Sequence, residues 1–402
     1  MLRRGQDARF IRNQKDRRVN VREQHIVLFG DNATALSVAS CLREHHITVV
    51  GTVSEPRQAS LSRFVKGSIR VTEDHVWQVF DRVSLLRRTA EERLLLFPCS
   101  DAWIERLAAN MTRTLQFGEM LPATAEHLLL TTDKSSFAAA IERLDLPRPR
   151  ILNPHVDADW IPTSYPFVLK PSSTYRLEAQ IGVKAVLIRC AEDWRATDKS
   201  LLRENSFLAQ QYLAGASVSV CFCTAPGGGL AVSYATEKVH AAEMRTGSRV
   251  VTVERPDAIE LAAEFVRRTG FVGFGELEMI DTDGGPVLLE LNARPWSQVL
   301  MADTIGAPIL ESAISLMSGE LPKQVAMPSK TPVEWISWDK DLLFRRALRR
   351  KGEQVRSALA SKDVALDSKH VYAQSFVRDP LPALMHALTL SPLRPGRFLS
   401  RG

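Results

Sequence analysis

The fold is decided by one stretch of the chain, which reads Gly275-Glu-Leu-Glu-Met-Ile-Asp-Thr-Asp-Gly-Gly-Pro-Val-Leu-Leu-Glu-Leu-Asn-Ala-Arg294. Two runs in which polar and apolar residues alternate stand on either side of a turn rich in glycine and aspartate, and this pattern predicts a β-hairpin. On the second strand Glu290, Asn292 and Arg294 alternate with apolar residues, so these three side chains are predicted to share one face. The sequence therefore predicts a polar face on an otherwise apolar hairpin.

This polar face has the composition of a magnesium and phosphate site. Glu278 on the first strand, with Glu290 and Asn292 on the second, offers the oxygen ligands that Mg²⁺ prefers, and phosphate oxygens and water would complete the octahedron. Arg294 suits bidentate pairing with phosphate. The alternative is a surface pairing of solvated charges, but an asparagine between a glutamate and an arginine adds little to solubility. We therefore predict Glu278, Glu290 and Asn292 as metal ligands.

The first part of the chain predicts a Rossmann-like α/β domain with a parallel sheet, because short apolar runs alternate with helical stretches. The predicted elements are strands at 25–30, 47–53 and 94–97 and a helix at 33–45. A strand, turn and helix of this kind also binds dinucleotides, but only Gly30 of the glycine fingerprint is present. A nicotinamide-dependent dehydrogenase is therefore disfavoured.

After Pro122 the pattern changes to an α+β layout with an antiparallel sheet. A helix that opens at Asp133 and Lys134 is predicted to run to about Leu144, where two prolines end it before a second domain. The strands predicted beyond it lie at 167–170, 185–188, 207–211, 218–223, 231–236 and 250–253, and the helices at 192–204 and 256–269. Lys134 at a helix start and Lys170 at a strand end lie where a nucleotide clamp needs cations.

Taken in order, these segments resemble the ATP-grasp superfamily, and within it the carboxylate–amine ligases that include D-aspartate ligase-like enzymes. The resemblance covers residues 25–320, and few other families have this series in this order. The segments that carry it are Ala59–Val65, Pro98–Asp101, Asp133–Lys134, Phe167–Pro171, Gln210–Gly215, Glu276–Glu278 and Glu290–Ser297. It implies an α/β and α+β chain, in which a Rossmann-like domain precedes an ATP-grasp fold whose two α+β subdomains clasp ATP.

The resemblance also implies roles for single residues. Lys134 and Lys170 are similar to the lysines that bind ATP phosphates, Lys170 with a catalytic part, and Lys184 and Lys238 are secondary candidates for the same task. The hinge whose backbone contacts adenine is matched by Gln210, Gln211, Tyr212 and Leu213. Magnesium would be bound by Glu278, Glu290 and Asn292, and the catalytic Arg294 would steady the transferring or acyl phosphate. Trp296, Ser297 and Gln298 would lie near the carboxylate substrate.

Two departures from the family pattern stand in the predicted ATP site. Many relatives have a glutamate that serves the nucleotide at the position of Ser217, and the loop 172–182 has a single glycine where many relatives have several. Closure over the nucleotide is therefore expected to differ. For a base that deprotonates the amine the sequence offers His240, although a lone histidine on a strand is more often structural. The turn 245–248 suits either closure over substrate or a plain surface loop.

The bulk composition excludes several other classes of protein. The formal net charge of +6 is concentrated near 3–22 and 345–351, but no aromatic residues are interleaved there, so a solvated basic face is favoured over nucleic-acid binding. No apolar run approaches the roughly 20 residues that span a bilayer. The five scattered cysteines predict reduced thiols in the cytoplasm and no zinc site.

Four segments are predicted along the chain. They are a disordered basic extension (1–23), a Rossmann-like domain (24–125), an ATP-grasp domain (126–320, with a lid at about 165–213) and a helical tail (321–402) that packs on the core. Its basic helix, predicted from Asp339 to Ala360, is expected to dock through an apolar side that includes Leu342, Leu343, Ala347 and Leu348.

The leading functional hypothesis is a ligase that uses ATP and Mg²⁺, with Mn²⁺ as a substitute, to convert a carboxylate into an acyl phosphate and join it to an amine. An ATP-grasp carboxylase or phosphotransferase and a non-catalytic nucleotide-binding scaffold are the alternatives. The predicted partners are a small carboxylate and a small amine, with no nucleic acid and no membrane, and a homodimer is a further expectation.

Overall fold

The structure is a computed structural model, and it describes residues 24–157, 159–171, 177, 184–204, 206–240, 247–322, 332–350, 369–375 and 377–389. The described residues form three β-sheets with helices packed against them. Each sheet has its own part in the arrangement described below.

The N-terminal sheet has five parallel strands in the order β3-β2-β1-β4-β5, which confirms the predicted Rossmann-like layout. Its strands are β1 (His25–Phe29), β2 (His46–Thr52), β3 (Gly67–Val71), β4 (Leu94–Pro98) and β5 (Gly118–Met120). The helices of this part are α1 (Ala33–Cys41), α2 (Val79–Ser84), α3 (Asp101–Ala109), α4 (Met111–Phe117) and α5 (Ala125–Thr132). The predicted first helix is shorter than expected, since it ends at Cys41.

The second sheet has four antiparallel strands in the order β6-β9-β7-β8. They are β6 (Ile151–Val156), β7 (Phe167–Pro171), β8 (Val186–Ile188) and β9 (Phe207–Gln211), preceded by α6 (Lys134–Arg143). The single helix predicted over 192–204 is wrong, because the chain forms two short helices there, α7 (Ala191–Ala196) and α8 (Lys199–Glu204), separated by extended Thr197. We refer to this unit as the lid sheet.

The third sheet has seven strands in the order β14-β13-β10-β11-β12-β15-β16, so the antiparallel strands predicted as one sheet belong to two. They are β10 (Ala216–Thr224), β11 (Leu230–His240), β12 (Arg249–Val253), β13 (Phe274–Thr282), β14 (Gly285–Asn292), β15 (Val333–Ile336) and β16 (Lys369–Tyr372). The remaining helices are α9 (Pro256–Thr269), α10 (Leu300–Ile305), α11 (Ile309–Met317), α12 (Trp338–Arg350) and α13 (Pro380–Thr389). The predicted hairpin is the β13–β14 pair.

The two faces of the seven-stranded sheet bury different parts of the chain. One face packs Val218, Leu277 and Leu288 against α6 and α9. The other packs Cys221 and Cys223 in a cluster that also contains residues of α1, α10 and α11, so it joins this sheet to the N-terminal sheet. Because that second face also carries the polar residues of the hairpin, the site lies where all three sheets approach one another.

The tail differs from the predicted helical segment in two ways. β15 and β16 form the edge of the seven-stranded sheet. The sequence did not predict these strands, because such short strands show no clear alternation of polar and apolar residues. The predicted apolar side of the basic helix is also wrong where it is described, because 45% of Leu342 and 55% of Leu343 are exposed, whereas Asp341 is buried. The side chains of Ala347 and Leu348 and the predicted extension to Ala360 lie outside the described residues.

Within the described part of the chain, no helix combines the length and the apolar character needed to cross a membrane. The five cysteines are free thiols, and Cys99, Cys221 and Cys223 are buried, as small core side chains are expected to be.

The buried His25 predicts a pH dependence of stability. Burial, and then the neighbouring His46, lowers the pKa of His25 to about 4, against about 6.5 in an unfolded chain. His25 therefore contributes stability above pH 6.5 that is lost as the pH falls towards 4, by up to about 2 kcal/mol at pH 5. Urea titrations at about pH 7 and pH 5 should show a smaller drop for His25→Gln than for the wild type. An equal drop in both proteins would contradict the assignment.

Candidate active site

A β-bulge places the acidic side chains of the hairpin. Glu278 pairs directly with Glu290 and Glu276 with Asn292, but the register shifts between Glu278 and Met279. In an unbroken strand Leu288 would share the face of Glu290, whereas Leu288 and Leu291 both lie in the apolar core beneath the sheet. The extra residue therefore turns Glu290 to the polar face while the leucines stay buried.

Each of the two opposed carboxylates is neutralised by lysines from other elements. Lys134 at the start of α6 forms an ion pair with Glu290, and Lys170 from the lid sheet lies 4.0 Å from the same carboxylate. Lys238 on β11 contacts Glu278 at 2.6 Å. The predicted phosphate-binding lysines and the predicted metal ligands thus form one cluster of charges.

The pKa values of the cluster follow from burial and from these pairs. Burial opposes the charge of Glu290, but Lys134 and Lys170 outweigh it and hold the pKa of Glu290 well below its usual range. Burial likewise opposes the charge of Glu278, and Lys238 keeps the pKa of that carboxyl lowered. Burial lowers the pKa of Lys170 to about 8, although Glu290 opposes the shift. The two metal-ligand candidates are therefore ionised at neutral pH.

The contacts of Thr131 and Asp133, which lie just before Lys134, hold the start of α6 in place beside the hairpin. Asp133 caps α6 through hydrogen bonds from the backbone N–H groups of Ser135 and Ser136. Just before it, the Thr131 hydroxyl donates to the carbonyl of Leu291 and accepts from the N–H of Ala293, both at 3.0 Å. The helix start is thereby tied to the end of β14, which brings Lys134 to Glu290.

Arg294 lies at the boundary between the hairpin and the N-terminal sheet. Its Nε donates to Oδ1 of Asp101 at 2.5 Å, and one terminal nitrogen donates to Oδ1 of Asn292 at 3.4 Å. Asp101 is the first residue of α3, directly beyond the buried strand β4, where Ser100 caps the helix. Burial raises the pKa of Asp101, but Arg294 outweighs it and keeps that pKa below its usual value. The N-terminal sheet thus contributes a carboxylate to the site.

A polar cleft of about 400 Å³ opens beside these groups. It is lined by Asp101, Ile104, Glu105, Thr131, Thr132, Lys134, Lys184, Glu290 and Asn292. Lys184 therefore lines the same cleft as Lys134, Glu290 and residues of α3, and its contact with phosphate stays a prediction. The loop before it, at 172–183, lies outside the described residues apart from the buried Leu177.

An apolar cleft of about 280 Å³ lies on the other side of Lys134. It is lined by Lys134, Phe137, Ala138, Ile141, Arg148, Pro149, Ile151, Lys170, Leu208, Gln210, Leu288 and Leu289. Its walls come from α6, the lid sheet and β14, and a flat apolar group such as a purine suits such walls. Lys134 and Lys170 line this cleft and also reach the acidic pair, so a base here would leave its phosphates near the lysines.

The pairing of β9 bears on the predicted adenine-binding hinge, because the strand contains the first two of the four hinge residues. β9 lies between β6 and β7, and the Gln211 N–H donates to the carbonyl of Arg150 at 2.9 Å. The backbone N–H of Gln211 is therefore engaged in the lid sheet, and the contact of the Gln210 and Gln211 backbone with adenine stays a prediction. The Gln210 side chain lines the apolar cleft. Tyr212 and Leu213 follow the strand and also remain predicted adenine contacts.

The oxygen ligands at the hairpin fit Mg²⁺ only when phosphate oxygens complete its coordination. Asn292 donates to Oε1 of Glu278 at 3.1 Å, so Glu278, Glu290 and Asn292 are contiguous. Among the described residues no set of three His, Cys, Asp or Glu side chains is arranged to hold a metal by itself. Two carboxylates and an amide oxygen with phosphate oxygens match the way Mg²⁺ is usually bound in nucleotide sites.

Other predicted residues lie away from this cluster. His240 is 1% exposed, contacts Asp341 at 2.9 Å through Nδ1 and stacks on Phe344, which favours the structural role over the catalytic one. Trp296 and Gln298 are buried, and their expected place near the carboxylate substrate stays a prediction, as does that of Ser297. Of the turn at 245–248, only Gly247 and the buried Ser248 lie within the described residues.

Sequence reasoning assigned no role to Glu276 or Asp101. Glu276 is 5% exposed, and burial and then Glu278 raise its pKa to about 7. It lies two residues before Glu278 on the same strand, so the two side chains share one face. This spacing was the signal in the sequence. For Asp101 the signal was its place directly after a buried strand, because functional groups gather at the carboxyl edge of a parallel sheet.

Residues 131–298 match a family model described as an ATP-grasp domain. The search of curated proteins gave no significant match. Among solved structures, the ADP complex of an N5-carboxyaminoimidazole ribonucleotide synthetase is 16% identical over 91% of this chain and 96% of its own, with a TM-score of 0.60. An L-amino acid ligase from Bacillus licheniformis is 13% identical over 78% and 79%, with a TM-score of 0.58.

A biotin carboxylase domain from Hydrogenobacter thermophilus, solved with MgADP and bicarbonate, is 13% identical over 77% of this chain and 73% of its own, with a TM-score of 0.59. At these identities the likeness shows the fold. It confirms the expected Rossmann-like domain followed by an ATP-grasp fold.

At Gly275 the backbones of β13 and β14 approach too closely for a side chain to fit between them. A Cβ at this position would collide with the Asn292 carbonyl oxygen and lie 3.0 Å from Cα of Ala293. We expect Gly275→Ala to lower the free energy of unfolding by about 1–3 kcal/mol, because the hairpin must separate. Urea titration measures the effect. Gly284→Ala is the matched control, since a Cβ there meets only Thr282 Oγ1 at 3.7 Å; equal losses would show that Gly275 is not constrained.

Proposed function

We propose, from the premise that residues 131–298 form an ATP-grasp domain, that the protein is an ATP- and Mg²⁺-dependent ligase. The reaction would activate a carboxylate as an acyl phosphate and join it to an amine, with release of ADP and phosphate. The substrates we propose are a small amino-acid-like carboxylate and a small amine, and a homodimer remains a proposal alongside them. The D-aspartate ligase-like subgroup also remains a proposal.

The observation that carries this proposal is the charge arrangement around the hairpin. Glu278 and Glu290 are each paired with lysine side chains. Arg294 lies two residues beyond Asn292 and donates a hydrogen bond to its Oδ1. A bound metal would take over the neutralisation of the two carboxylates, which would release Lys134, Lys170 and Lys238 to phosphate oxygens. In such an exchange every buried charge keeps an opposite partner, because the metal pairs with the carboxylates and the lysines pair with the phosphates, and this suits a nucleotide site better than a purely structural ion network.

The chain's own residues would act mainly by position and electrostatics. Bound Mg²⁺ would supply charge stabilisation at the transferring phosphate. Lys170 and Lys134 would orient the phosphate chain that leaves the apolar cleft, and Arg294 would hold the acceptor oxygen or the acyl phosphate beside Asn292. Groups fixed in advance in a partly buried site stabilise developing charge without the cost of reorganisation, and this is the usual basis of phosphoryl transfer.

The test is turnover of the purified protein with MgATP and a panel of the standard amino acids as carboxylates, with hydroxylamine as a trapping nucleophile. Hydroxylamine converts an acyl phosphate into a hydroxamate, so the first step is detected without knowledge of the natural amine. We expect ADP release that depends on one or a few carboxylates, with matching hydroxamate identified by mass. Bicarbonate is included as an acceptor, because ADP release that responds to bicarbonate alone would favour a carboxylase instead.

Variants of the acidic pair sharpen this test. Glu290→Gln and Asn292→Ala should lower carboxylate-dependent ADP release by about a hundredfold or more, because both groups act on the metal-bound phosphate. Glu192→Gln, which removes a carboxylate paired with Arg195 at 2.6 Å on the surface, is the control and should keep wild-type turnover. Full activity of Glu290→Gln would refute the metal assignment, and ADP release that no substrate stimulates would favour a non-catalytic scaffold.

A further inference from the structure

Asp101 is out of place in a site that binds phosphates. It reaches from α3 into the polar cleft, where it faces Lys134, Lys184 and Glu290, and 32% of its side-chain surface stays exposed to that cleft. A carboxylate there repels the triphosphate and the substrate carboxylate that the lysines and Arg294 attract. Its presence therefore suits a cleft that also receives a positively charged group beside the anions.

Arg294 accounts for only part of this carboxylate. Its Nε binds Oδ1 of Asp101 at 2.5 Å. Within the described residues no hydrogen bond or ion pair engages Oδ2, which leaves half of the carboxylate available in the cleft. The available oxygen is carried by α3, whereas the metal-ligand candidates are carried by the hairpin, so a cation bound to it would be held from a different part of the fold.

We propose that Asp101 recognises the protonated amino group of the acceptor substrate, and that the amine is therefore a primary ammonium compound at entry. The inference rests on the proposed ligase function. An acyl phosphate steadied by Arg294 would lie beside the guanidinium, and Asp101 is bonded to that same guanidinium. An ammonium group held by Asp101 would thus be close to the acyl carbon. It loses one proton to water in the cleft, its freed lone pair then forms the C–N bond as the C–O bond to phosphate breaks, and the second proton leaves the nitrogen with the departing phosphate.

The partition of one intermediate between two nucleophiles tests this proposal. Wild type and Asp101→Asn are given MgATP, the carboxylate that yields hydroxamate, hydroxylamine, and a panel of amino acids and simple primary amines. Near neutral pH hydroxylamine is largely uncharged, whereas the panel amines are ammonium ions. We expect Asp101→Asn to lower the ratio of amide to hydroxamate by about tenfold or more, as loss of a charge-assisted hydrogen bond would. Asp101→Glu should restore part of that ratio.

The ratio is measured within each sample, so a variant that is only partly folded still gives a valid value. An unchanged ratio with both products reduced would overturn the proposal, because Asp101 would then act only through Arg294. Hydroxamate without amide from any panel amine in the wild type would overturn it as well. If wild type forms neither product, the ligase function itself fails. Glu119→Gln, which removes an N-terminal ion pair with Arg93 at 2.8 Å, is the control and should leave the ratio unchanged.

Discussion

The site depends on one electrostatic constraint, the direct opposition of Glu278 and Glu290 across the β13–β14 pair. Like charges opposite one another destabilise a sheet, and burial adds a desolvation cost. The pair persists because Lys238, Lys134 and Lys170 approach it from β11, α6 and the lid sheet. In the proposed function, two carboxylates held ionised in this way would exchange their lysines for a hard cation, and the contacts that keep the hairpin stable would also prepare it for MgATP.

This constraint explains why the site needs all three sheets. The hairpin supplies the carboxylates, the lid sheet supplies Lys170 and one wall of the apolar cleft, and α3 supplies Asp101 beside Arg294. Thr131 fastens the start of α6 to the end of β14, so the lysine contributed there has little freedom.

The sequence predicted what depends on local pattern. The parallel first sheet, the hairpin and the cap at Asp133 follow from strand periodicity and turn chemistry, and they were found. The bulge beside Glu278 was not predictable, because alternation alone assigns Leu288 to the wrong face. Division of the later strands into two sheets and the edge strands of the tail depend on contacts between distant residues, which no local signal encodes. The place of Asp101 after a buried strand was a local signal, but its part in the site follows only from its contact with the distant Arg294.

The same balance of charge bears on Ser217, which stands where many relatives have a glutamate. It pairs with Ile280, two residues along from the Ser219–Glu278 pair, so its side chain lies on the face of the site. A glutamate there would add another carboxylate beside Glu278, on a face where burial and Glu278 already raise the pKa of Glu276 to about 7. With serine instead, the cations around the clefts outnumber the ionised carboxylates. The serine therefore adds no further carboxylate to a face that already holds Glu276 and Glu278, and the positive excess of the clefts is kept.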